Sequence, residues 1–150
     1  MKKGEEISIQ LKDLFSMQRF AVLSTSNKGQ PYSNLVAFAS ADDLKTLYFA
    51  TTRATRKYKN ISSDSRVSFL IDSRTNKSSD LSEAVAVTAL GRAEESGTDE
   101  RESILDIYLA KHPELKEFVS SPTCALFKVV VKTYYIVNRF QNVQEFSIES

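Results

Sequence analysis

The chain has 150 residues, of which 41% are hydrophobic and 26% are charged, a composition typical of one soluble globular domain, which we expect to cover residues 1–150. The formal net charge of +1 excludes a strong global field for nucleic acid or an anionic membrane, and no apolar run approaches the ~20 residues that span a bilayer. The single cysteine, Cys124, excludes an intramolecular disulfide, and the charged N-terminus is unlike a secretory signal, so we expect a cytoplasmic location.

The first third of the sequence predicts a helix, a β-hairpin and a further strand. Apolar residues at helical spacing predict a helix over residues 7–17. Residues 19–25 and 31–40 are rich in apolar side chains, and between them lie residue types that tolerate a positive φ. These two segments are therefore expected to pair as antiparallel strands, and residues 46–50 predict the next strand.

The middle of the chain predicts a short helix between strands. Residues 51–60 are polar and basic, and Thr55 is of a type that caps helix N-termini, so a helix is expected to begin near it. A strand is predicted over residues 66–71 and a polar loop over residues 72–81. A long strand follows over residues 84–94, in which Gly91 indicates a bulge or a close backbone approach.

The last third predicts helix and then strand. Residues 98–118 are expected to be helical with a break at His112-Pro113, because the residue before a proline resists the αR conformation. Residues 124–139 predict a long strand, and residues 143–148 a further one. At least six strands, several of them apolar on both faces, predict an α+β protein, mainly β, whose sheet closes into a barrel or is covered by a partner subunit.

Most metal-binding and catalytic motifs are missing from the sequence. One histidine and one cysteine, far apart, supply no zinc ligand set. A nucleophilic pair of Cys124 and His112 is formally open, but we expect a buried thiol at the start of a strand and a surface or capping imidazole before a proline. Four glycines are too few for a glycine-rich phosphate loop, and the carboxylate pairs fall in predicted turns or at strand ends, where solvation is expected.

Residues 51–57 concentrate three hydroxyls and three cations between a strand and a helix. A helix N-terminus offers unpaired N–H groups and a positive dipole end, which favour an anion. Arg56 could hold a phosphate through two parallel hydrogen bonds, and Lys57 would add a compact charge. From the residues alone, this segment is either a phosphate site or an ordinary solvated start of a basic helix.

Short motifs follow one another along the chain in a definite order. They are Gly29-Gln30-Pro31-Tyr32 before a strand, Tyr48-Phe49, Thr55-Arg56-Lys57, Arg66-Val67-Ser68-Phe69-Leu70 and Gly91-Arg92-Ala93-Glu94. In order and spacing they resemble the pyridoxamine 5′-phosphate oxidase superfamily of FMN-binding split barrels.

This resemblance implies a six-stranded antiparallel split β-barrel with flanking helices. It also implies a homodimer with FMN at the subunit interface, each site being completed by the other subunit. The family's serine-arginine-lysine phosphate clamp falls on Thr55, Arg56 and Lys57 here. The cofactor-binding residues that the resemblance implies are Asn34, Leu35, Val36, Ala37, Thr51, Thr52, Thr55, Arg56 and Lys57.

Departures from the family pattern separate cofactor binding from oxidation of the B6 vitamer. The arginine on the second strand of the vitamin-B6 oxidases is Asn34 here, and the lysine that follows it is Ala39. Their C-terminal tryptophan has no counterpart, since the chain contains no Trp. The resemblance therefore implies that the residues that bind the cofactor phosphate are present, whereas those that bind the vitamin phosphate are absent. Pyridoxamine-phosphate oxidation is not expected.

Three functions remain open at this point. The first is an FMN-dependent oxidoreductase that acts on an unknown small molecule, with no catalytic residue identified. The second is a non-catalytic flavin carrier or sensor, or a split barrel that holds haem or a deazaflavin instead. The third is an interaction module without a redox cofactor, in which Arg53, Arg56 and Lys57 meet another anion.

Overall fold

A computed structural model describes residues 2–139 and 142–149. Met1, Phe140, Gln141 and Ser150, which belong to the single domain expected over residues 1–150, lie outside the described residues. The helices are α1 (Lys3–Met17), α2 (Arg56–Ser63), α3 (Asp80–Glu83), α4 (Arg101–Lys111) and α5 (Lys116–Ser120). The strands are β1 (Phe20–Asn27), β2 (Gln30–Ser40), β3 (Thr46–Thr52), β4 (Arg66–Asp72), β5 (Val85–Glu95), β6 (Cys124–Asn138) and β7 (Asn142–Ser147).

Within the described residues, β1 to β6 form a closed antiparallel barrel. The strand order is β3-β2-β1-β4-β5-β6, and the pairing of β3 with β6 closes the ring. Outside the ring, β7 pairs with the last residues of β6. The six-stranded antiparallel barrel with flanking helices is confirmed, as is the further strand expected near residues 143–148.

The bulge expected in β5 is confirmed at Gly91. The register of β5 against β6 shifts between Leu90 and Gly91. A Cβ atom on Gly91 would fall inside van der Waals contact of the carbonyl oxygen of Val130. Glycine is required there because the two backbones approach too closely for any side chain.

The barrel interior is filled by aromatic and aliphatic side chains that alternate along the strands. The rings of Phe49 and Phe127 stack with their centroids 5.1 Å apart. The apolar face of α1 packs into the same cluster, where Phe15 meets Phe38 edge-on at 5.8 Å. The apolar face of α1 is therefore part of the hydrophobic core.

The position of α2 is fixed by its second turn. Asn60 is buried and donates a hydrogen bond of 3.0 Å from Nδ2 to Oγ1 of Thr25 in β1. Ile61 joins the barrel core, and the Tyr58 ring meets Phe127 at 5.7 Å. These contacts hold the N-terminus of α2, which begins after Thr55, beside the ends of β1 and β3.

The segment from α4 to α5 covers the outer side of β2 and β3. Ile104, Tyr108 and Val119 form a second cluster there with Ala39 and Tyr48. The predicted break at His112-Pro113 is confirmed, since α4 ends at Lys111 and a short 3-10 turn, Pro113–Leu115, leads into α5.

The polar loop expected over residues 72–81 differs from the structure at both ends, since β4 includes Asp72 and α3 begins at Asp80. The Asp80 carboxylate accepts hydrogen bonds from the backbone N–H groups of Thr75 and Asn76. These bonds lower the pKa of Asp80 and fold the loop back onto the start of α3.

Candidate functional site

Although its strand pairings close the ring, the barrel has a local opening where β2 and β3 separate, between the first part of β2 and the end of β3. Within the described residues, β2 pairs with β3 only over residues 38–40. Beyond that point residues 50–52 of β3 pair with β6 alone. If the pairing of β2 with β3 continued in the same register, residues 50–52 of β3 would lie opposite residues 35–37 of β2. The segments 34–37 and 51–57, which the sequence predicts to bind the cofactor, therefore flank one opening.

Tyr108 of α4 lies where β2 and β3 separate. Its hydroxyl donates a hydrogen bond of 2.9 Å to the carbonyl oxygen of Ala37, directly beyond the paired segment. Burial raises the pKa of this phenol, against a smaller opposing effect of the Ala50 backbone. The hydroxyl therefore stays protonated and able to donate at any ordinary pH.

Two threonine hydroxyls shape the connection from β3 into α2. Thr51 is 2% exposed, and its Oγ1 lies 2.9 Å from Oγ1 of Thr55. Thr55 Oγ1 accepts a hydrogen bond from the backbone N–H of Tyr58 and donates one to the carbonyl oxygen of Thr52. The N-cap predicted at Thr55 is confirmed, and these hydroxyls hold the loop rather than extend into solvent.

Arg56 and Lys57 are the first two residues of α2. Arg56 is exposed, and its guanidinium carbon lies 5.5 Å from the ring centroid of Tyr32 in β2. Among the described residues Arg56 forms no salt bridge. Partial burial lowers the pKa of Lys57, so its ammonium is less well solvated than an ordinary surface lysine. Both cations are available to an anion at the opening.

Arg53, the third cation of the segment, is committed elsewhere. Its Nη1 donates to the carbonyl oxygen of Pro122 at 2.9 Å, and its Nη2 forms a salt bridge of 2.8 Å with Glu95. The Tyr58 hydroxyl donates to the other Glu95 oxygen at 2.8 Å. Although burial would raise the pKa of Glu95, these two hydrogen bonds lower it overall, so the carboxylate stays ionised and holds Arg53.

The β2 side of the opening carries an unsatisfied acceptor. Asn34 Oδ1 is buried and has no hydrogen-bond partner among the described residues. Its Nδ2 makes only a long contact of 3.5 Å with the carbonyl oxygen of the next residue, Leu35. Buried polar atoms are nearly always hydrogen-bonded, so this oxygen is an acceptor that the described residues leave unsatisfied. Val36 is buried and Ala37 half-buried.

His112 is not the surface or capping imidazole that the sequence suggested. It is 3% exposed, and its Nε2 lies 2.7 Å from the carbonyl oxygen of Phe38. Burial lowers its pKa, so the imidazole is neutral and Nε2–H donates to that carbonyl. The expectation was wrong because α4 packs flat on β2, which converts the residue before Pro113 into a buried contact. The buried Cys124 thiol is confirmed.

Lys111 completes a polar row on the inner face of α4 that the sequence did not predict. Its Nζ donates to the carbonyl oxygen of Phe15 in α1 at 2.7 Å and lies 3.8 Å from the Phe38 ring centroid. With Tyr108 and His112 it occupies the i, i+3 and i+4 positions of one helix face. The signal available in the sequence was this spacing, which places three polar side chains on one face of the helix.

An apolar row crosses the outer surface of the barrel beside the opening. Val22 pairs with Leu35 on one side and with Leu70 on the other. Leu35 is 67% exposed and Phe20, on the same strand as Val22, is 59% exposed. We refer to Phe20, Val22, Leu35 and Leu70 as the outer face. Contiguous exposed apolar surface of this kind is characteristic of interaction sites.

Other kinds of site find no support in the described part of the chain. Within residues 2–139 and 142–149, no group of three or more His, Cys, Asp or Glu side chains could hold a metal ion. In the same residues no helix has the length and apolar character needed to cross a bilayer.

Comparison with known proteins identifies relatives of the whole barrel. The sequence profile described as pyridoxamine 5′-phosphate oxidase matches residues 7–138. No curated protein matches the chain. Several solved structures share the fold, at identities too low to carry over more than the fold.

One similar structure is a heme binding protein from Mycobacterium smegmatis, 16% identical with a TM-score of 0.82, covering 98% of this chain and 59% of that one. ChuZ from Campylobacter jejuni is 14% identical with a TM-score of 0.81, covering 98% of this chain and 61% of its own. A FAD-binding protein from Mesorhizobium loti is 20% identical with a TM-score of 0.67, covering 85% of this chain and 91% of its own. This chain spans about three fifths of the first two proteins.

Proposed function

The chain belongs to the pyridoxamine 5′-phosphate oxidase family, and from this premise we propose that it binds FMN at the opening between β2 and β3. We further propose that it does so as a homodimer and serves as a flavin-dependent oxidoreductase for a small molecule. The observation that carries the proposal is the meeting, at one opening, of uncommitted cations and an unsatisfied buried acceptor.

The phosphate end of FMN would lie at the start of α2. Arg56 and Lys57 supply two cations there, and the Thr55 cap orders the first turn so that its free N–H groups point the same way. Arg56 has no carboxylate partner among the described residues, so its charge is not offset before an anion arrives. Thr51 and Thr52 would contribute indirectly, because their hydrogen bonds hold the connection between β3 and α2 in place.

The ring end would lie along β2. Asn34 Oδ1 needs a donor, and a flavin ring carries an N–H of the kind that would satisfy it. The strand edge at Leu35, Val36 and Ala37 faces the opening, where β3 no longer pairs with it. These residues therefore fit a group that combines a phosphate with a flat polar ring.

FMN, when bound, supplies the hydride or electron transfer. This chain's own residues bind and orient: the cations hold the phosphate, Asn34 fixes the ring, and Tyr108 fixes the strand edge through Ala37. Ala39, which stands where vitamin-B6 oxidases carry a lysine, is 2% exposed and packs in the cluster with α4. Its side chain has no group that could bind a vitamin phosphate, and we do not propose that substrate.

A second copy of the chain would cover the outer face. Phe20 and Leu35 are mostly exposed there, and Leu35 also belongs to the β2 segment proposed to meet the flavin. Burying this surface would stabilise the pair by about 25 cal/mol per Å² of apolar area. A dimer formed through it would bring the partner subunit next to the cofactor.

Haem is the main competitor, because one of the similar structures is a heme binding protein. Axial ligation by imidazole would require His112, the only histidine in the chain. Its Nε2 is committed to the Phe38 carbonyl oxygen in the interior. This observation favours FMN over histidine-ligated haem.

Purified protein and its apo form test the proposal directly. We expect a flavin absorption spectrum, quenching of FMN fluorescence on titration, and a dimeric mass at micromolar concentration. Failure to take up added FMN would exclude both flavin functions, and a Soret band on hemin titration with no FMN binding would favour haem. Photoreduction followed by mixing with NADH, NADPH and candidate oxidants separates an oxidoreductase from a carrier, which would not turn over.

A further inference from the structure

A polar cavity lies beside Arg53. Its volume is about 350 Å³, at the lower end of the range for small-molecule sites. It lies between the β5–α4 connection and the α5–β6 connection. The lining residues that matter for its chemistry are Arg53, Glu95, Ser96, Arg101, Ser121 and Cys124. Arg56 and Lys57 are not part of it.

Two guanidinium groups in this cavity are held by backbone carbonyls. Arg101 Nη2 donates to the carbonyl oxygen of Val119 at 2.7 Å, and Arg53 Nη1 donates to that of Pro122 at 2.9 Å. Arg53 is also paired with Glu95, whereas Arg101 forms no salt bridge among the described residues. A guanidinium has five N–H donors, and Arg101 donates one of them to the described residues, in its bond to Val119.

Both positive charges act on the same part of the cavity. Arg101 and Arg53 each favour the ionised form of Glu95, and each opposes the effect of burial on the Cys124 thiol. Burial nevertheless raises the pKa of Cys124, so the thiol stays neutral. The cavity therefore holds two cations against one carboxylate, and that carboxylate already accepts hydrogen bonds from Arg53 and Tyr58.

Ser96 provides an independent sign that something polar belongs in this cavity. Its Oγ is buried and has no hydrogen-bond partner among the described residues. A buried hydroxyl without a partner is destabilising relative to one that is satisfied. Ser96 and Arg101 both line the cavity, so an anion bound there would offer an acceptor to this hydroxyl and to the spare donors of Arg101.

We propose that this cavity is an anion site, separate from the FMN site, for the phosphate or carboxylate end of a small molecule. Arg101 would provide the main charge and a paired set of N–H donors, and Ser96 Oγ a further donor. Arg53 keeps its bond to Glu95 and adds long-range attraction. Cys124 is a wall of the site and not a nucleophile, because its thiol is neutral and buried.

Titration of the purified, isotope-labelled protein with inorganic phosphate, sulfate and malonate tests the site by backbone amide NMR, with sodium chloride as the ionic-strength control. We expect saturable shifts at Gly97, Thr98 and Ser121 that chloride does not reproduce. Tighter binding of phosphate and sulfate than of malonate would identify a phosphate-type ligand, and the reverse order would identify a carboxylate. Either order supports the site.

Variants separate this site from the FMN site. Arg101→Gln should weaken the best-bound anion at least tenfold, and Arg101→Lys, which keeps the charge, should weaken it less. Arg56→Gln and the exposed Lys116→Gln should leave these shifts unchanged. Ser96→Ala, which removes only the unpaired hydroxyl, gives a second reading if Arg101→Gln fails to fold. The proposal is overturned if the anions cause no saturable shifts there, if the shifts occur only at residues 55–57, or if neither Arg101→Gln nor Ser96→Ala weakens binding.

Discussion

The hydroxyl of Tyr108 lies 2.9 Å from the carbonyl oxygen of Ala37 and donates a hydrogen bond to it across the outer side of the barrel. Ala37 is the residue at which β2 stops pairing with β3. The bond ties α4 to the strand edge that borders the opening. It links a helix with no proposed cofactor contact to the geometry of the proposed flavin site.

Replacing Tyr108 with Phe should therefore have two effects. The Ala37 carbonyl loses its partner in a buried setting, which we expect to lower the free energy of unfolding by about 1–3 kcal/mol. The strand edge also loses a restraint, so FMN affinity should fall several-fold. Urea unfolding of the apo form measures the first effect, and FMN fluorescence titration measures the second.

Tyr135→Phe is the matched control, because Tyr135 is half-buried and its hydroxyl makes no hydrogen bond within the described residues. It should change neither quantity appreciably. If Tyr108→Phe loses stability but binds FMN with unaltered affinity, the bond is structural only and the strand edge does not depend on it.

Arg56 should contribute strongly to FMN affinity. Arg56→Gln removes a charge-assisted pair with the phosphate, and such bonds contribute about 1.5–3 kcal/mol, which corresponds to roughly tenfold or more in Kd. Stability should hardly change, because the side chain is exposed and has no salt bridge among the described residues.

Lys59→Gln removes another exposed cation from the same helix and serves as the control. It should leave Kd within about twofold, and both variants should be compared at one ionic strength because the attraction is screened by salt. Equal losses in the two variants would mean that FMN responds to the general positive charge of α2 and not to a clamp at Arg56.

Local signals in the sequence were sufficient for much of the fold. Thr55 predicted the start of α2 because an N-cap depends on the residue and its immediate neighbours. Gly91 predicted the bulge because a glycine inside a strand often marks a bulge or a close approach of two backbones. The resemblance implied a barrel, whereas the apolar strand faces left a closed barrel and a sheet covered by a partner both open. The pairing of β3 with β6 that closes the ring was not predicted, because no local signal specifies it.

The contacts of α4 could not be predicted in the same way. Tyr108 reaches Ala37 and His112 reaches Phe38 across separations of 71 and 74 positions. Both contacts exist only because α4 packs on β2, and nothing near His112 in the sequence shows which strand it will meet. The cavity beside Arg101 was missed for the same reason, since its walls come from separate connections that only the closed barrel brings together.

Gly91 should be intolerant of any side chain. In Gly91→Ala the new Cβ would press on the Val130 carbonyl oxygen and on the Val129 side chain, so β5 or β6 must shift. Overpacking of this kind costs about 1–3 kcal/mol, and we expect a matching drop in the urea midpoint with little change in m.

Gly4→Ala provides the contrast. Gly4 lies in the first turn of α1, and a Cβ there meets nothing within 4 Å. Alanine has the higher helix propensity, so this variant should be neutral or more stable by up to about 1 kcal/mol. If Gly91→Ala proved as harmless as Gly4→Ala, the close approach of β5 and β6 at the bulge would not constrain the residue there.

Lys111 should make the protein more stable as the pH rises above about 8. Burial, reinforced by the charge of Arg19, lowers the pKa of its ammonium from 10.5 to about 8 in the folded protein. Below pH 8 the folded and unfolded chains both carry the proton, and the full cost of the buried charge is present. Between about pH 8 and 10.5 the unfolded chain holds more protons, so the free energy of unfolding increases with pH in that window.

Lys111→Met removes this titration while keeping most of the apolar stem that packs on Phe38. Urea unfolding of both proteins from pH 7 to pH 10 gives the difference in their free energies of unfolding at each pH. Tyrosines such as Tyr108 and Tyr134, whose pKa values burial raises, are common to both proteins and largely cancel in that difference. The wild-type protein should gain on the variant as the pH rises through 8, and a difference that stays flat would show that Lys111 keeps an ordinary pKa through its bond to the Phe15 carbonyl.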